Sequence, residues 1–346
     1  MEEPALSVDR LPTYKELLAR TDAPRGSSWG LWGPEDQLGT LNLLTDERTA
    51  RAAAGVRTGS VYPLGLPLHE PGGAIVWRTK PTHHILHVGH EAHDMRPTEA
   101  DEPDSGFVDR DDYLDGLYLQ GSSQWDGLTH IRHPEHGNYN GVPDADIHGG
   151  EGSRLGVDQW AKRGIVGRGI LIDVQAALAA LGRPFDPSSN YGITARDLDD
   201  TLEYQGVEVE TGDILLLRTG WMGNFYARDD AYREAVLGFG HDDVSQHAPG
   251  LAVDRSSVEW LWDHHVAAVA SDTIGVEQSP APDPAQTFSL HQQWLPLIGM
   301  PLGEYWWLDD LGSACAADRQ YTFLFVSVPL NVRGGVGSPP QAVAIR

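Results

Sequence analysis

Four short runs rich in branched apolar residues stand out in the second half of the chain, at residues 169–174, 213–221, 266–272 and 321–330. Each is too short for a helix and is bounded by Gly, Asp or Pro, so each predicts a strand near the middle of a sheet. Helical spacing appears elsewhere. Residues 14–20 have helical promise, residues 194–204 begin with Thr194 placed to cap the amide of Asp197, and residues 253–264 put Val258, Leu261 and Trp262 on one face. Residues 1–60 otherwise mix Trp- and Gly-rich loops and read as a packing arm. Residues 94–112 carry many acids, Pro and Gly without periodicity, the pattern of an exposed loop able to cover an active site. With no internal repeat and no strong linker, this mixture of strands and helices predicts one α/β unit with a shared core.

Composition narrows the partners. The 346 residues are 40% hydrophobic, ample for a buried core, and the formal charge is −25 with a pI near 4.8. Such a surface repels a phosphate backbone or an anionic membrane, so neither nucleic acid nor membrane is an expected partner. The start, Met1 followed by two Glu and a Pro, lacks the basic and apolar regions of a secretory signal, and every apolar stretch is interrupted before the roughly 18 residues needed to cross a bilayer. A soluble cytoplasmic protein is the expectation. Cys315 is the single cysteine, which excludes an intrachain disulfide and any Cys-rich zinc site.

Several common chemistries are missing. The chain has no Gly-x-Ser-x-Gly elbow and no phosphate loop, and Gly164, Gly167 and Gly169 are in the wrong order for a dinucleotide fingerprint. Five histidines crowd residues 83–93, and His87, His90 and His93 are spaced for one helical stripe. Gly89 interrupts that helix, however, and residues 82–88 alternate like a strand, so a polar loop near the cavity competes with a metal site. His90-Glu-Ala-His93 is one residue short of the His-Glu-x-x-His zinc motif. His133 and His136 flank Pro134, which opposes a helix and makes them loop residues.

The most informative segment is residues 120–130, Gln-Gly-Ser-Ser-Gln-Trp-Asp-Gly-Leu-Thr-His. It resembles the His-x-Gly-Thr-His-x-Asp-x-x-x-His motif of the cyclase family, which contains kynurenine formamidases and isatin hydrolases. In that register Gln120 and Gln124 replace the first two histidines, Ser122 and Ser123 replace Gly-Thr, Asp126 is the metal-binding Asp and His130 the catalytic His. Weaker likenesses in the right order extend from Trp29 to the C-terminus, at residues 32–42, 164–174, 211–221 and 329–339. His291, followed by Glu304, resembles the second half of the family's metal site. The resemblance implies a swivelling β/β/α fold in a single compact domain, residues 29–346, behind an N-terminal arm, residues 1–28. It also implies a homo-oligomer, a homodimer or homotetramer, acting on a small-molecule substrate.

The chemistry implied is metal-dependent hydrolysis of a C–N bond in a small amide or cyclic amide. Asp126, His291 and Glu304 would hold one divalent ion, Mn²⁺ or Zn²⁺, and His130, with Asp126, would act in catalysis. An amide oxygen is a weaker donor than imidazole toward zinc, so Gln120 and Gln124 either complete the shell of a harder ion such as Mn²⁺ or orient substrate. A lactone hydrolase or cyclase would use the same activated water. A binding protein that has lost its metal is the non-catalytic alternative. Ordinary roles also exist: His130 bonded to a backbone carbonyl, Asp126 capping the turn at Gly127, His291 at a helix start, and Glu304 pairing with an arginine. Trp125, Trp221, Trp294, Trp306 and Trp307 could line an aromatic pocket, although core packing is expected for most. Trp125 is the one expected at the substrate, because both its neighbours belong to the motif.

Overall fold

The computed structural model describes residues 11–71, 78–89, 108–237, 247–282 and 288–346. A nine-stranded mixed sheet runs through it, ordered β1 (Val61–Pro63), β13 (Ala342–Ile345), β11 (Thr322–Ser327), β5 (Ile165–Asp173), β7 (Ile214–Arg218), β9 (Ala268–Ser271), β10 (Leu302–Glu304), β4 (Gln124–Asp126) and β12 (Gly337–Ser338). Strands β5, β7, β9 and β10 are mutually parallel, and the strands added at either end are antiparallel. Two small pairs stand outside it: a hairpin of β2 (Thr82–Gly89) and β3 (Val108–Asp115), and β6 (Gly192–Ile193) beside β8 (Gly250–Leu251).

The four apolar runs supply β5, β7, β9 and β11. In β5, β7 and β9 polar alternation is missing because both faces are covered, whereas β11 buries one face, that of Phe323, Phe325 and Ser327, and leaves Leu324 and Val326 half-buried. Ile170, Ile172, Leu215, Leu217 and Val269 enter one core. It is closed by the helices Tyr14–Ala19, Val174–Ala180, Ala195–Gln205 and Arg255–Asp263. Leu171, Leu216, Ala268, Ala270 and Phe325 enter the other core, with Trp160, Leu311 and Cys315.

The helix Ala195–Gln205 starts as its sequence predicts, with Thr194 and Asp197 forming a reciprocal capping box. The third predicted helix is Arg255–Asp263, its N-cap Asp254 accepting from the Ser257 amide at 3.1 Å. Tyr14 and Leu17 are buried in the first core, and Trp262 donates its indole N–H to the Pro12 carbonyl at 2.7 Å.

Two expectations need correction or delimitation. Residues 108–112, read as loop, belong to β3, where His83 pairs with Asp112 at 2.7 Å and His84 stacks on Tyr113. Aspartate is poor in strands, but the ladder to β2 and the His83–Asp112 contact across it hold the segment extended. Residues 94–107, His90, His93 and the His87 side chain lie outside the described residues. The strand reading of residues 82–88 agrees with β2. His133 and His136 are loop residues with stacked rings.

Candidate metal centre

The centre begins with the register of β4 on β10, in which Gln124 is opposite Glu304 and Asp126 opposite Leu302. Strand alternation sends Gln124 and Asp126 to one face, so Gln124 and Glu304 form a cross-strand pair. Gln124 Nε2 lies 2.7 Å from Glu304 Oε2 and 3.3 Å from Asp126 Oδ1. Trp125 points the other way. It is fully buried in the opposite core, edge-on to Trp306, and donates Nε1–H to Ser327 Oγ at 3.0 Å. Its expected place against substrate is therefore corrected: alternation within a three-residue strand separates it from both neighbours. Trp221, Trp294 and Trp306 are also buried in cores, and only Trp307 of the five is partly exposed.

Two glycines make room for this arrangement. A Cβ at Gly303 would meet the Trp306 indole nitrogen at 2.8 Å, and that indole donates to the Gln124 carbonyl. A Cβ at Gly337 on β12 would lie 2.5 Å from Gln120 Cγ. Gln120 thus reaches over Asp126, its Nε2 at 2.5 Å from Asp126 Oδ1 and 2.8 Å from His130 Nδ1. Ser122 and Ser123 serve the backbone instead, donating to the carbonyls of Pro67 and Tyr305.

His291 arrives from the short helix Leu290–Gln293. Its Nε2 lies 3.0 Å from Glu304 Oε1 and 3.9 Å from Asp126 Oδ2, and its Nδ1 is 2.6 Å from Glu277 Oε1. Glu277 also accepts from the Leu290 amide at 2.6 Å and from Ser289 Oγ at 2.9 Å, so one carboxylate starts the helix and orients the imidazole. Such an outer carboxylate fixes the tautomer of a metal-ligating histidine. Sequence reasoning missed Glu277, which lies on a different segment from the motif and carries no local signature. It also missed Arg78, whose Nη1 donates to the Gln120 carbonyl at 2.8 Å.

One ligand atom from each of Asp126, His291 and Glu304 lies within 4.8 Å of the others. Asp126 and Gln124 are fully buried and Glu304 is nearly so, yet Asp126 Oδ2 and Gln124 Oε1 have no hydrogen-bond partner. Buried acceptors are normally satisfied, so two orphans facing a carboxylate-rich centre fit a cation. The charge balance agrees, because three carboxylates, those of Asp126, Glu277 and Glu304, face one imidazole. Burial, followed by the charge of Asp126, raises the Glu304 pKa to about 7. Burial opposes a charged His291, but its hydrogen bonds to Glu277 and Glu304 outweigh that cost and hold its pKa well above the ordinary value. His130 behaves oppositely: burial lowers its pKa, against the pull of Asp126.

The ordinary roles for these residues are not the ones observed, with one exception. Asp126 meets the side chains of Gln120 and Gln124, His130 meets Gln120, and Glu304 meets Gln124 and His291. His291 does sit at a helix start.

A mixed nine-stranded sheet with this centre on its β10–β4 pair defines a class, and comparison with known proteins identifies it. Residues 68–278 match the family described as "Putative cyclase". A solved structure described as a novel cyclase is 32% identical, with a TM-score of 0.76, over 92% of this chain and 99% of that one. The chain belongs to the cyclase family. Isatin hydrolase A from Ralstonia solanacearum shares the fold at 17% identity and TM-score 0.53, over 85% of this chain and 94% of that one. The same enzyme from Labrenzia aggregata, bound to benzyl benzoate, is 15% identical with TM-score 0.52, over 86% of this chain and 97% of that one. No curated protein matches the chain. The family match includes residues 120–130 and Glu277 and ends before His291 and Glu304, which the three-dimensional arrangement brings together with Asp126. Among the described residues, no helix is long and apolar enough to cross a membrane.

Proposed function

We propose that this protein is a metal-dependent hydrolase of a carbon–nitrogen bond in a small amide or cyclic amide. The observation that carries the reading is the convergence of Asp126, His291 and Glu304 with a buried carboxylate oxygen left unpartnered. The isatin hydrolases lend support through their common fold, since isatin contains a ring amide. A divalent cation, when bound, would polarise the scissile carbonyl and lower the pKa of water. Two carboxylates and one imidazole can hold it, and amide oxygens from Gln124 or Gln120 would favour Mn²⁺ over Zn²⁺.

The chain's own residues supply the rest. His130, kept neutral by burial, is suited to exchange a proton with water and with the leaving nitrogen. Gln120, donating to His130 Nδ1, leaves the ring proton on Nε2, 3.9 Å from Asp126 Oδ1. Glu277 fixes the orientation of His291.

A second reading, a ligand-binding protein without metal, draws on the amide N–H groups of Gln120 and Gln124, which already meet Asp126 and Glu304. Elemental analysis separates the two, with wild type and His291→Ala grown on manganese and zinc without a chelating tag. About one ion per chain, lost in the variant, supports the hydrolase. No ion, and none gained on reconstitution, supports the binding protein. Paired lactam and lactone substrates then test the bond class.

A further inference from the structure

His291 stands in the first turn of a helical segment that continues past Gln293 into a wider, π-helical turn, Trp294–Ile298. The far end of a helix leaves carbonyls that no later turn can satisfy. Here the N-terminal part of the chain takes them. Trp29 donates Nε1–H to the Pro296 carbonyl at 2.6 Å, the Ser28 amide donates to the Leu297 carbonyl at 3.0 Å, and Ser28 Oγ donates to the Ile298 carbonyl at 2.8 Å. The Thr40 amide then donates to the Gly299 carbonyl at 2.9 Å. Four consecutive carbonyls are thus held from residues 28–40. The approach is so close that a Cβ at Gly39 would lie 1.8 Å from the Gly299 oxygen. Residues 32–42, which carry part of the family resemblance, include this contact although none of their side chains bonds to the centre.

The segment is therefore gripped at both ends. Glu277 holds its start, through the Leu290 amide and Ser289 Oγ, and the imidazole itself. Those contacts all fall on the first turn and leave the helix free to pivot there. Ser28, buried, and Trp29, half-buried, supply the second point that fixes its direction. A ligand must be held to within about 0.5 Å of its working place, and a tilt of the far end would carry His291 Nε2 away from Glu304 and Asp126. We infer that Ser28 and Trp29 are positioning residues for His291: they touch no ligand of the centre and act through the helix that presents the imidazole. This rests on the metal centre of the hydrolase reading above. A cap that only adds stability would leave metal affinity alone, and a positioning role would not.

The test titrates the full chain, freed of metal, with Mn²⁺ and reads the free ion by electron paramagnetic resonance. Wild type is compared with Trp29→Phe, which keeps a ring and loses the N–H, and with Ser28→Ala. The control is Thr194→Ala, which removes the side-chain cap bonded to Asp197 on another helix. Urea unfolding measures the stability each variant loses. Trp29→Phe and Ser28→Ala should each weaken Mn²⁺ binding about 3- to 10-fold, as for one lost hydrogen bond, with Thr194→Ala binding like wild type. Each variant decides for its own residue: wild-type affinity, or a drop no larger than that of Thr194→Ala at equal loss of stability, overturns the assignment. Mn²⁺ binding by wild type that is indifferent to Ser28 and Trp29 sinks the inference and leaves the hydrolase reading standing. Wild type that binds no Mn²⁺ takes both down. Should Trp29→Phe not fold, Ser28→Ala carries the test.

Discussion

Two clusters of buried charge are built from strand ends, and they differ in one respect. Where β5 and β7 end, Arg218 donates to Asp173 at 2.9 and 3.1 Å and to Asp309 at 2.8 Å, while Asp173 also accepts from the Ala176 amide. Asp272 beside them accepts from the Thr219 amide and hydroxyl and from the Gly220 amide. Every carboxylate there has its donors. On the β10–β4 pair, Asp126 Oδ2 has none. Charge that is fully paired holds structure together, whereas charge left short of donors at comparable burial marks the place for something the chain does not itself provide.

The sharpest test of that contrast is Asp126→Ala. It should remove the bound ion and lower turnover by at least about 10³-fold while the fold survives, because the carboxylate it deletes was never fully satisfied. Turnover preserved in a folded Asp126→Ala protein would break the comparison. The converse is Arg218→Ala, which leaves Asp173 and Asp309 without their cation and should cost about 3–5 kcal/mol in denaturant unfolding, with metal content per folded chain unchanged. A variant that unfolds like wild type would make the satisfied cluster dispensable.

A smaller effect is expected from Glu277→Gln, which keeps the shape but weakens the hold on His291. Metal affinity measured by titration should drop about 10- to 100-fold, and wild-type affinity would remove Glu277 from the site. The mildest test is the pH profile. Because burial lowers the His130 pKa from 6.5, the ring is already unprotonated at neutral pH, and kcat/KM should fall only as pH drops through a value below 6.5. A midpoint near 7 would instead assign the limb to Glu304, whose pKa is raised to about 7.

The two regions were not equally legible. Strands β5, β7, β9 and β11 could be read from their apolar runs, and the helix Ala195–Gln205 from its cap, because those signals are local. The motif at residues 120–130 and the pair His291 and Glu304 were legible through family resemblance, and the structure brings Asp126, His291 and Glu304 together. Trp125 was misplaced although strand alternation alone puts it opposite its neighbours. Glu277 and Arg78 were invisible for a different reason: each reaches the centre from a distant segment, and nothing near either residue announces a contact that forms only on folding.

The double attachment of Glu277 turns a local helix start into a gauge. The carboxylate that steadies His291 also accepts from the Leu290 amide. Whatever tightens the imidazole therefore also slows the opening of that first turn. Hydrogen exchange at a single backbone amide would then report occupancy of the centre without any substrate being known.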